Sequence, residues 1–371
     1  MSAARHILSY AETWRGGGVE RAQLRLARGW IAAGRRVTLV IGDSSGPLAA
    51  EAPDGLEIVT AGTSGMRRLT AALPALVRAR APDVIFCPGN HYTGAAAWLR
   101  LRLGWDCPPI IAKVSNALVR TDQSVAVAAG YRAWLRLHGH FLTRVVAMTP
   151  AMADEAAATM CLPPARLRVI ANPPATTMAG AGLPPLPPGR FLLGVGRLAP
   201  QKRWDRLIAA LPLLVDEDVT LVIIGEGAER PALEAQVAAL GLANRVFLPG
   251  HAPDPLPVIA RAAVLALVSD FEGVPGVLRE ALSLGTPVVA SDSSVAVREI
   301  VTSPEMGAVV AVGDAAGLVA ALDQWLTPGR PRPAPVPQPG ENAAVEYLAL
   351  FDELVLTSAA RATGAWSRKS L

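Results

Sequence analysis

Two glutamates, Glu272 and Glu280, stand eight residues apart and follow an apolar run at 263–268. That run predicts a buried strand. Two glycines and a proline at 273–276 favour a loop that leads into a helix. Glu272 is therefore predicted in a strand-to-helix loop, and Glu280 one or two turns into the helix. In a continuous helix the two would stand about 12 Å apart along the axis.

The spacing of these carboxylates allows three interpretations. They could be solvated surface groups, a catalytic acid–base pair, or two hydrogen-bond acceptors that hold opposite ends of one ligand. A span of about 12 Å exceeds a single sugar ring but suits a nucleotide-sugar. The choice depends on what other parts of the chain provide.

Two cations follow the first strand of the second half of the chain, which is predicted at 192–195. Arg197 and Lys202 stand five residues apart beside a helix start. A guanidinium fork, an ammonium group and free backbone N–H groups together suit a diphosphate. Gly194 and Gly196 lack the third glycine of a dinucleotide fingerprint, so nicotinamide binding is disfavoured. Ordinary surface cations are the alternative.

A second glycine-rich loop, Gly16-Gly17-Gly18, lies between a predicted strand and a helix start. Glycine lets backbone approach an anion closely, although a plain turn has the same composition. Metal-binding patterns are weak, because His138 and His140 form an isolated pair. The acidic run 216–218 is predicted on the edge of the sheet away from ligands. We expect no metal and no resident cofactor.

Strands and helices alternate along both halves of the chain. Apolar strands separated by helices indicate a parallel sheet covered on both faces. The predicted strands lie at 7–10, 37–41, 56–60, 83–87, 109–114, 145–148, 167–170, 192–195, 220–225, 246–248, 263–268, 288–290 and 308–312. Helices are predicted at 19–33, 70–79, 123–141, 204–215, 228–240, 277–284, 295–301 and 315–326, and another is predicted to start at Thr149-Pro150, with Asp314 as the cap of the helix at 315–326. The predicted fold class is α/β, with two doubly wound Rossmann-like domains that face each other across a cleft. Ligands are expected at the carboxyl ends of the strands.

Segments rich in proline and glycine set the predicted domain boundaries. The first domain spans 1–175 and the second spans 190–330, with a stiff linker at 176–189. A last amphipathic helix at 341–357 is predicted to pack back onto the first domain. Residues 357–371 are predicted to form a flexible tail.

The composition of the 371 residues excludes several protein classes. Hydrophobic residues make up 51% and charged residues 18%, which argues against disorder. No run reaches the ~20 apolar residues of a membrane span, and the first residues do not resemble a signal peptide. Three scattered cysteines form neither a CxxC motif nor an even framework. A reduced, cytoplasmic location is therefore expected.

Positive charge is concentrated in the N-terminal half. Residues 1–180 hold 20 Lys and Arg against 11 Asp and Glu, whereas the remainder holds 15 against 20. An Arg- and Trp-rich surface suits peripheral contact with the anionic inner face of the cytoplasmic membrane. The alternative interpretation is that the arginine stems simply cover the flanks of helices. Binding to nucleic acid is not expected, because the sequence contains no known nucleic-acid-binding motif. The residues concerned are Arg67, Arg68, Arg78, Arg80, Trp98, Arg100, Arg102, Trp105, Arg132, Trp134, Arg136 and Arg144.

Together these motifs resemble glycosyltransferase family 4, the retaining nucleotide-sugar transferases of the GT-B fold. The segment from Glu272 to Glu280 looks like the family's Glu-x7-Glu motif, in the setting FEGVPGVLREALSLGTPVVAS. The segment 196–202 looks like its diphosphate-binding element, and 17–20 looks like its N-terminal glycine loop. The resemblance covers nearly the whole chain and is strongest over 190–312.

The resemblance implies a role for each matching residue. Arg197 and Lys202 would bind the donor diphosphate, Glu280 the ribose and Glu272 the donor sugar, with Glu272, Arg197 and Lys202 nearest the chemistry. The nucleotide base would lie near residues 248–251. The other implied donor contacts are Gly17, Gly18, Gly196, Gly225, Leu248, Gly250, His251, Gly273, Val274, Pro275 and Gly276.

The acceptor side of the implied site is less complete. Many relatives carry a histidine just beyond the strand predicted here at 83–87. In this chain either Asn90 or His91 would fill that place. Lys113 and Asn116, near the end of the next strand, could also face the acceptor.

The resemblance implies a metal-independent, retaining glycosyltransferase. Its donor would be a nucleoside-diphosphate hexose, and its acceptor a lipid-linked glycan or surface polysaccharide. A nucleotide-sugar epimerase or hydrolase of the same fold is one alternative. A non-catalytic sugar-nucleotide-binding subunit is the other.

Overall fold

The computed structural model describes residues 3–14, 17–62, 65–120, 123–175, 182 and 184–367, except for the side chains of 359–367. The chain divides into two compact units. The first unit comprises Met1–Pro173 and Pro339–Leu371, and the second comprises Pro174–Gln338. The linker was predicted at 176–189; residues 176–181 and 183 of that segment lie outside the described residues.

A parallel sheet of seven strands forms the centre of the first unit. The strands are β1 His6–Thr13, β2 Arg36–Asp43, β3 Glu57–Thr60, β4 Val84–Cys87, β5 Ile110–Lys113, β6 Arg144–Ala147 and β7 Leu167–Val169. Their order is β3-β2-β1-β4-β5-β6-β7, so the strand order reverses between β1 and β4. Open α/β sheets bind ligands outside the carboxyl ends of the strands at such a switch point.

Five helices connect these strands. They are α1 Gly18–Ala32, α2 Met66–Arg80, α3 Thr93–Leu103, α4 Val125–Phe141 and α5 Pro150–Met160. Every residue of β4 and β5 is buried, as expected for strands covered on both faces. Helix α5 starts where the sequence predicts, because the Thr149 hydroxyl accepts the Met152 N–H and Pro150 occupies the first turn.

The second unit repeats this architecture with six parallel strands. The strands are β8 Phe191–Val195, β9 Thr220–Ile224, β10 Val246–Gly250, β11 Val264–Leu267, β12 Val288–Ser291 and β13 Gly307–Val310. Their order is β10-β9-β8-β11-β12-β13, with the reversal between β8 and β11. The helices are α6 Trp204–Ala210, α7 Arg230–Ala239, α8 Leu256–Arg261, α9 Gly276–Ser283, α10 Val295–Ile300 and α11 Ala315–Leu326. The prediction of two doubly wound α/β domains is confirmed.

The last helix, α12 Ala343–Ser367, belongs to the first unit. Tyr347 and Phe351 pack against Trp30 of α1, with ring centroids 6.0 and 5.3 Å away. The sequence placed a flexible tail from residue 357, whereas the helix continues for ten residues more. Four of the eleven residues at 357–367 are alanine, which has the highest intrinsic helix propensity and favours this extension. Residues 368–371 lie outside the described residues.

Candidate functional site

Glu272 lies in the loop between β11 and α9 and is only 8% exposed. Its Oε1 accepts hydrogen bonds from Lys202 Nζ at 2.5 Å and from Ser269 Oγ at 2.6 Å. Its backbone N–H donates to the Ser293 carbonyl at 2.9 Å. A buried carboxylate is costly unless it is paired, and these donors supply the pairing. The structure thus joins two predicted site residues that are 70 positions apart.

Lys202 is held beside Glu272 by its neighbour Gln201. The Gln201 side-chain amide donates to the Phe271 carbonyl at 2.6 Å. The Gln201 carbonyl accepts the Asp270 N–H at 2.9 Å. Because these two bonds connect the loop after β8 to the loop after β11, they fix the distance between the ammonium group and the carboxylate.

Asp270 anchors the same loop through two cations that were not predicted from the sequence. Its carboxylate lies 2.7 Å from Arg206 Nη1 and 3.3 Å from Arg203 Nη1. Arg203 also hydrogen-bonds Asp205, which lowers the pKa of the Asp205 carboxyl. The sequence signal that could have identified Asp270 is its position two residues before Glu272.

Arg197 stands in a contrasting, exposed environment. Its backbone carbonyl accepts the Trp204 indole N–H at 3.0 Å, which ties the loop after β8 to α6. Among the residues that the structure describes, no group forms a hydrogen bond or ion pair with the Arg197 guanidinium. A fixed backbone with an unengaged guanidinium suits the predicted role of binding an anion.

Backbone N–H groups before α9 add further donors. Within the described residues, the N–H groups of Gly273 and Val274 have no partner. Ser294 Oγ donates to the Gly273 carbonyl at 2.6 Å and so holds this peptide in place. Since α9 begins at Gly276, the partial positive charge of its first turn lies close by. The loop therefore offers both neutral donors and a favourable dipole to an anion.

Glu280 lies in the second turn of α9 and is half-buried. Its Oε1 would lie 3.8 Å from a methyl group at Gly276, so the carboxylate reaches back toward the helix start. The spacing of about 12 Å assumed a continuous helix from Glu272 onward. The helix begins only at Gly276, so that estimate does not apply.

Glycines allow two loops of the second unit to cross in contact. A Cβ atom on Gly225 would collide with the Gly196 carbonyl oxygen, and one on Gly227 would collide with the Leu198 carbonyl oxygen. The Leu198 N–H donates to the Glu226 carbonyl at 2.9 Å. The glycine pattern in the sequence therefore reflects close backbone packing that positions the loop with the cations.

The segment predicted near the nucleotide base, 248–251, hydrogen-bonds to one of these two loops. The Gly250 carbonyl accepts a backbone N–H from the loop after β9 at 2.9 Å. Arg230 donates to the Leu248 carbonyl at 3.2 Å and pairs with Glu226 at 2.6 Å. Its hydrogen bonds lower the pKa of the Glu226 carboxyl. His251 is exposed at the end of this segment.

In the first unit, Gly17 is the N-cap of α1 and Gly18 its first residue, while Gly16 lies outside the described residues. The Glu20 carboxylate folds back over this helix start. Its Oε2 would collide with a methyl group at Gly17, and its Oε1 accepts the Tyr92 O–H at 3.2 Å. The Glu20 carboxylate therefore occupies the position in which a helix N-terminus would bind an anion. The predicted phosphate contact of this loop stays a prediction.

Asn90 joins the loops that follow β4 and β5. Its Oδ1 accepts the Ser115 N–H at 2.8 Å, and its Nδ2 donates to the Asn116 carbonyl at 2.9 Å. His91 is exposed, with its ring 3.9 Å from the ring of Tyr92. Asn90 therefore has its side chain engaged by backbone, and His91 is the one of the two that presents its side chain to solvent.

Lys113 ends β5 and is only 2% exposed. Its Nζ donates to Asn172 Oδ1 at 3.2 Å. Burial lowers the pKa of the ammonium group to about 8. The side chain lies inside the first unit, so a role toward an acceptor stays a prediction.

The structure offers no evident metal site among its described residues. Within the described residues, no three His, Cys, Asp or Glu side chains are grouped closely enough to hold a metal ion. Asp216 of the acidic run pairs instead with Arg190 at 3.2 Å. Metal independence stays a prediction.

Helix α4 of the first unit exposes an apolar and cationic surface. Val125 is 83% exposed, and Arg132 and Arg136 are exposed on the same side of the helix, since they follow it by about two and three turns. We call these three side chains the α4 face. Val127 and Leu137, 57 and 49% exposed, lie on other sides of the helix. The helix contains no Asp or Glu. No helix in the described part of the chain has the length and hydropathy needed to cross a bilayer.

Comparison with known proteins agrees with this geometry. The curated relatives include an N-acetylgalactosaminyltransferase of Campylobacter jejuni that is named for a diphospho-undecaprenol acceptor. It is 34% identical over 145 residues, which is 39% of this chain and 40% of the relative. A lipopolysaccharide core mannosyltransferase of Rhizobium leguminosarum is 32% identical over 47% of this chain and 49% of its own. The chain thus aligns with less than half the length of each.

Solved structures and family models extend the match to nearly the whole chain. Anabaena HepE in complex with UDP and glucose superposes with a TM-score of 0.69, at 19% identity, over 98% of this chain and 100% of that one. This likeness shows a shared fold. A glycosyl transferase 4-like domain matches residues 17–173, and a glycosyl transferases group 1 model matches residues 189–328. With both units matched in this way, the chain belongs to the family 4 glycosyltransferases of the GT-B fold.

Proposed function

We propose that this protein transfers a hexose from a nucleoside-diphosphate sugar to a lipid-linked or surface-polysaccharide acceptor, with retention of configuration and without a metal ion. The observation that carries the proposal is the Lys202–Glu272 contact, with the unengaged Arg197 in the same loop as Lys202. The complex of HepE with UDP and glucose supports the donor class. The names of the two curated relatives support the acceptor class.

The leaving group sets the main electrostatic demand of this reaction. Departure of a nucleoside diphosphate builds negative charge on the phosphates. Arg197 would bind that charge with its planar fork, Lys202 with its ammonium group, and Gly273 and Val274 with their N–H groups. Preorganised donors of this kind typically contribute about 3 kcal/mol each to the transition state.

The two glutamates would grip the donor at separate points. Glu272, held by Lys202, would accept a hydrogen bond from a hydroxyl of the sugar. Glu280 would accept one from the ribose. Because Lys202 contacts Glu272 directly, the group that binds the diphosphate also holds the group that binds the sugar. We assign Glu272 as a binding group and not as a nucleophile.

Thermal stabilisation by nucleotide-sugars tests the donor. A ligand that binds only the folded state raises the unfolding temperature by mass action. We expect one of UDP-glucose, UDP-galactose, UDP-N-acetylglucosamine and GDP-mannose to raise it. Incubation of that donor with a membrane extract should then yield a glycosylated acceptor and free nucleoside diphosphate. Nuclear magnetic resonance of the product should show a retained anomeric configuration, and EDTA should not inhibit.

Other products would indicate the alternative functions. Free sugar in the absence of transfer would indicate a hydrolase, and a second nucleotide-sugar would indicate an epimerase. Donor binding without turnover in any extract would favour a non-catalytic subunit. Strict dependence on a divalent ion would refute the metal-independent mechanism.

We further propose that the protein works in the cytoplasm, in peripheral contact with the anionic inner face of the membrane, and does not bind nucleic acid. The α4 face supports this proposal, because it combines an exposed valine with two arginines on a helix that lacks carboxylates. Such a position would bring the protein to a lipid-linked acceptor.

A further inference from the structure

Ser269 is a fully buried serine between β11 and the loop of Glu272. Its Oγ donates to Glu272 Oε1 at 2.6 Å. Its carbonyl accepts the Ser291 hydroxyl at 2.7 Å, which ties it to the end of β12. Ser269 is therefore fixed through its backbone and presents one hydroxyl to one carboxylate oxygen.

The two oxygens of the Glu272 carboxylate have different surroundings. Both side-chain donors, Lys202 and Ser269, bind Oε1. In the part of the chain that the structure describes, Oε2 has no hydrogen-bond partner. The carboxylate is thus held by one oxygen, which leaves the other as an acceptor with unused capacity.

The two donors also differ in whether a ligand can reach them. The Lys202 side chain is 17% exposed, and in the proposed function it also binds the diphosphate. Ser269 is 0% exposed and cannot touch a ligand. If Lys202 binds the diphosphate, Ser269 is the side-chain donor that still holds Glu272.

We propose that Ser269 is a positioning residue that keeps Glu272 Oε2 directed at a hydroxyl of the donor sugar. This inference rests on the proposed function and refines it, because it separates recognition of the sugar from recognition of the nucleotide. Loss of the Ser269 hydroxyl should weaken binding and transfer of the sugar. Binding of the free nucleoside diphosphate should not change.

The test compares two ligands and two buried hydroxyl residues in the full-length chain. Calorimetry measures the affinity of wild type, Ser269→Ala and Thr286→Val for the nucleotide-sugar that stabilises the wild type and for its free nucleoside diphosphate. Thr286 is the matched control, because it is 0% exposed and its hydroxyl donates to the Ile259 carbonyl at 2.8 Å, away from Glu272. A hydrogen bond to a charged group corresponds to about a tenfold effect or more.

For Ser269→Ala we expect about a tenfold or greater loss of nucleotide-sugar affinity and of kcat, with unchanged affinity for the nucleoside diphosphate. Thr286→Val should lower the unfolding temperature and leave both affinities unchanged. Ser269→Cys keeps the volume with a weak donor, so it should show the same selective loss even where Ser269→Ala does not fold.

Equal losses for both ligands in the Ser269 variants, or the same selective loss in Thr286→Val, would overturn the inference and leave the proposed function standing. A wild-type protein that binds no nucleotide-sugar would overturn the proposed function, and this inference with it.

Discussion

At the scale of single residues, the two predicted phosphate-binding cations differ in what else they do. Arg197 is exposed and its guanidinium is unengaged within the described residues. Lys202 is partly buried and forms an ion pair with Glu272. The sequence predicted the same role for both. The structure adds that Lys202 also neutralises a buried carboxylate, so its loss affects folding as well as binding.

Substitution of the two cations should separate these roles. Arg197→Ala should lower kcat by about 100- to 1,000-fold, because one preorganised donor to the leaving group is lost. Its free energy of unfolding should stay within about 0.5 kcal/mol of wild type. Lys202→Ala should lose kcat too, and should also lose about 3 kcal/mol of stability, because Glu272 is left buried without its cation. Steady-state kinetics and urea unfolding measure both quantities.

An exposed arginine elsewhere in the second unit provides the control. Arg261 ends α8 and is exposed. Arg261→Ala should change neither kcat nor stability. If Arg197→Ala keeps wild-type kcat, or if Lys202→Ala is as stable as Arg197→Ala, the assignment of these roles is wrong.

At the scale of elements, local signals in the sequence predicted most of the fold. Thr149-Pro150 and Asp314 start α5 and α11 as N-caps, since each side chain accepts a backbone N–H of the first turn. Two helices, α3 and α8, were not predicted. Helix α3 ends in the run LRLRL at 99–103, whose alternation is typical of a strand, and α8 has only six residues and contains Pro257. Neither segment shows the 3.6-residue apolar period that indicates a helix.

The candidate site was predictable only in part, for a related reason. The motifs name Arg197, Lys202 and Glu272 because each lies in a recognisable local pattern. Their grouping depends on Gln201 and Asp270, which connect loops that follow β8 and β11. Those bonds arise from the order of strands in the sheet, where β8 and β11 are neighbours. A single sequence carries no local signal for such a contact.

Two glycines allow a test of the loop crossing in the second unit. Gly225 and Gly241 both have positive φ, of 154° and 68°. A Cβ on Gly225 would collide with the backbone of Gly196, whereas one on Gly241 meets no atom within 4 Å. Gly241→Ala should cost about 1 kcal/mol from backbone strain alone. Gly225→Ala should cost about 3 kcal/mol or more, because backbone must move. Urea unfolding measures both.

Donor binding should follow the same order. Gly225→Ala should weaken stabilisation by the nucleotide-sugar, because the displaced loop carries Arg197 and Lys202. Gly241→Ala should bind the donor as wild type does. Equal stability and equal donor binding in the two variants would show that the crossing does not position the cations.

At the scale of the whole molecule, charge and exposed apolar surface coincide in the first unit. The α4 face combines the exposed Val125 with two arginines, and α4 also exposes Val127 and Leu137 on its other sides. Helix α3 contacts α4 and exposes Leu101, and Trp105 follows the helix; these two side chains are 74 and 103% exposed. The neighbouring Arg100 and Arg102 add positive charge. Contact of this surface with a membrane stays a prediction.

Vesicle flotation tests whether this surface binds a bilayer. We expect the protein to float with vesicles that contain phosphatidylglycerol, weakly with pure phosphatidylcholine, and less at high salt, because attraction of arginine to anionic lipid is screened. The double variant Val125→Glu with Arg136→Glu should bind anionic vesicles at least about tenfold more weakly than wild type. Val345→Glu is the matched control, because Val345 is 65% exposed on α12. Equal binding to both kinds of vesicle, or equal weakening by Val345→Glu, would assign the α4 face to another role.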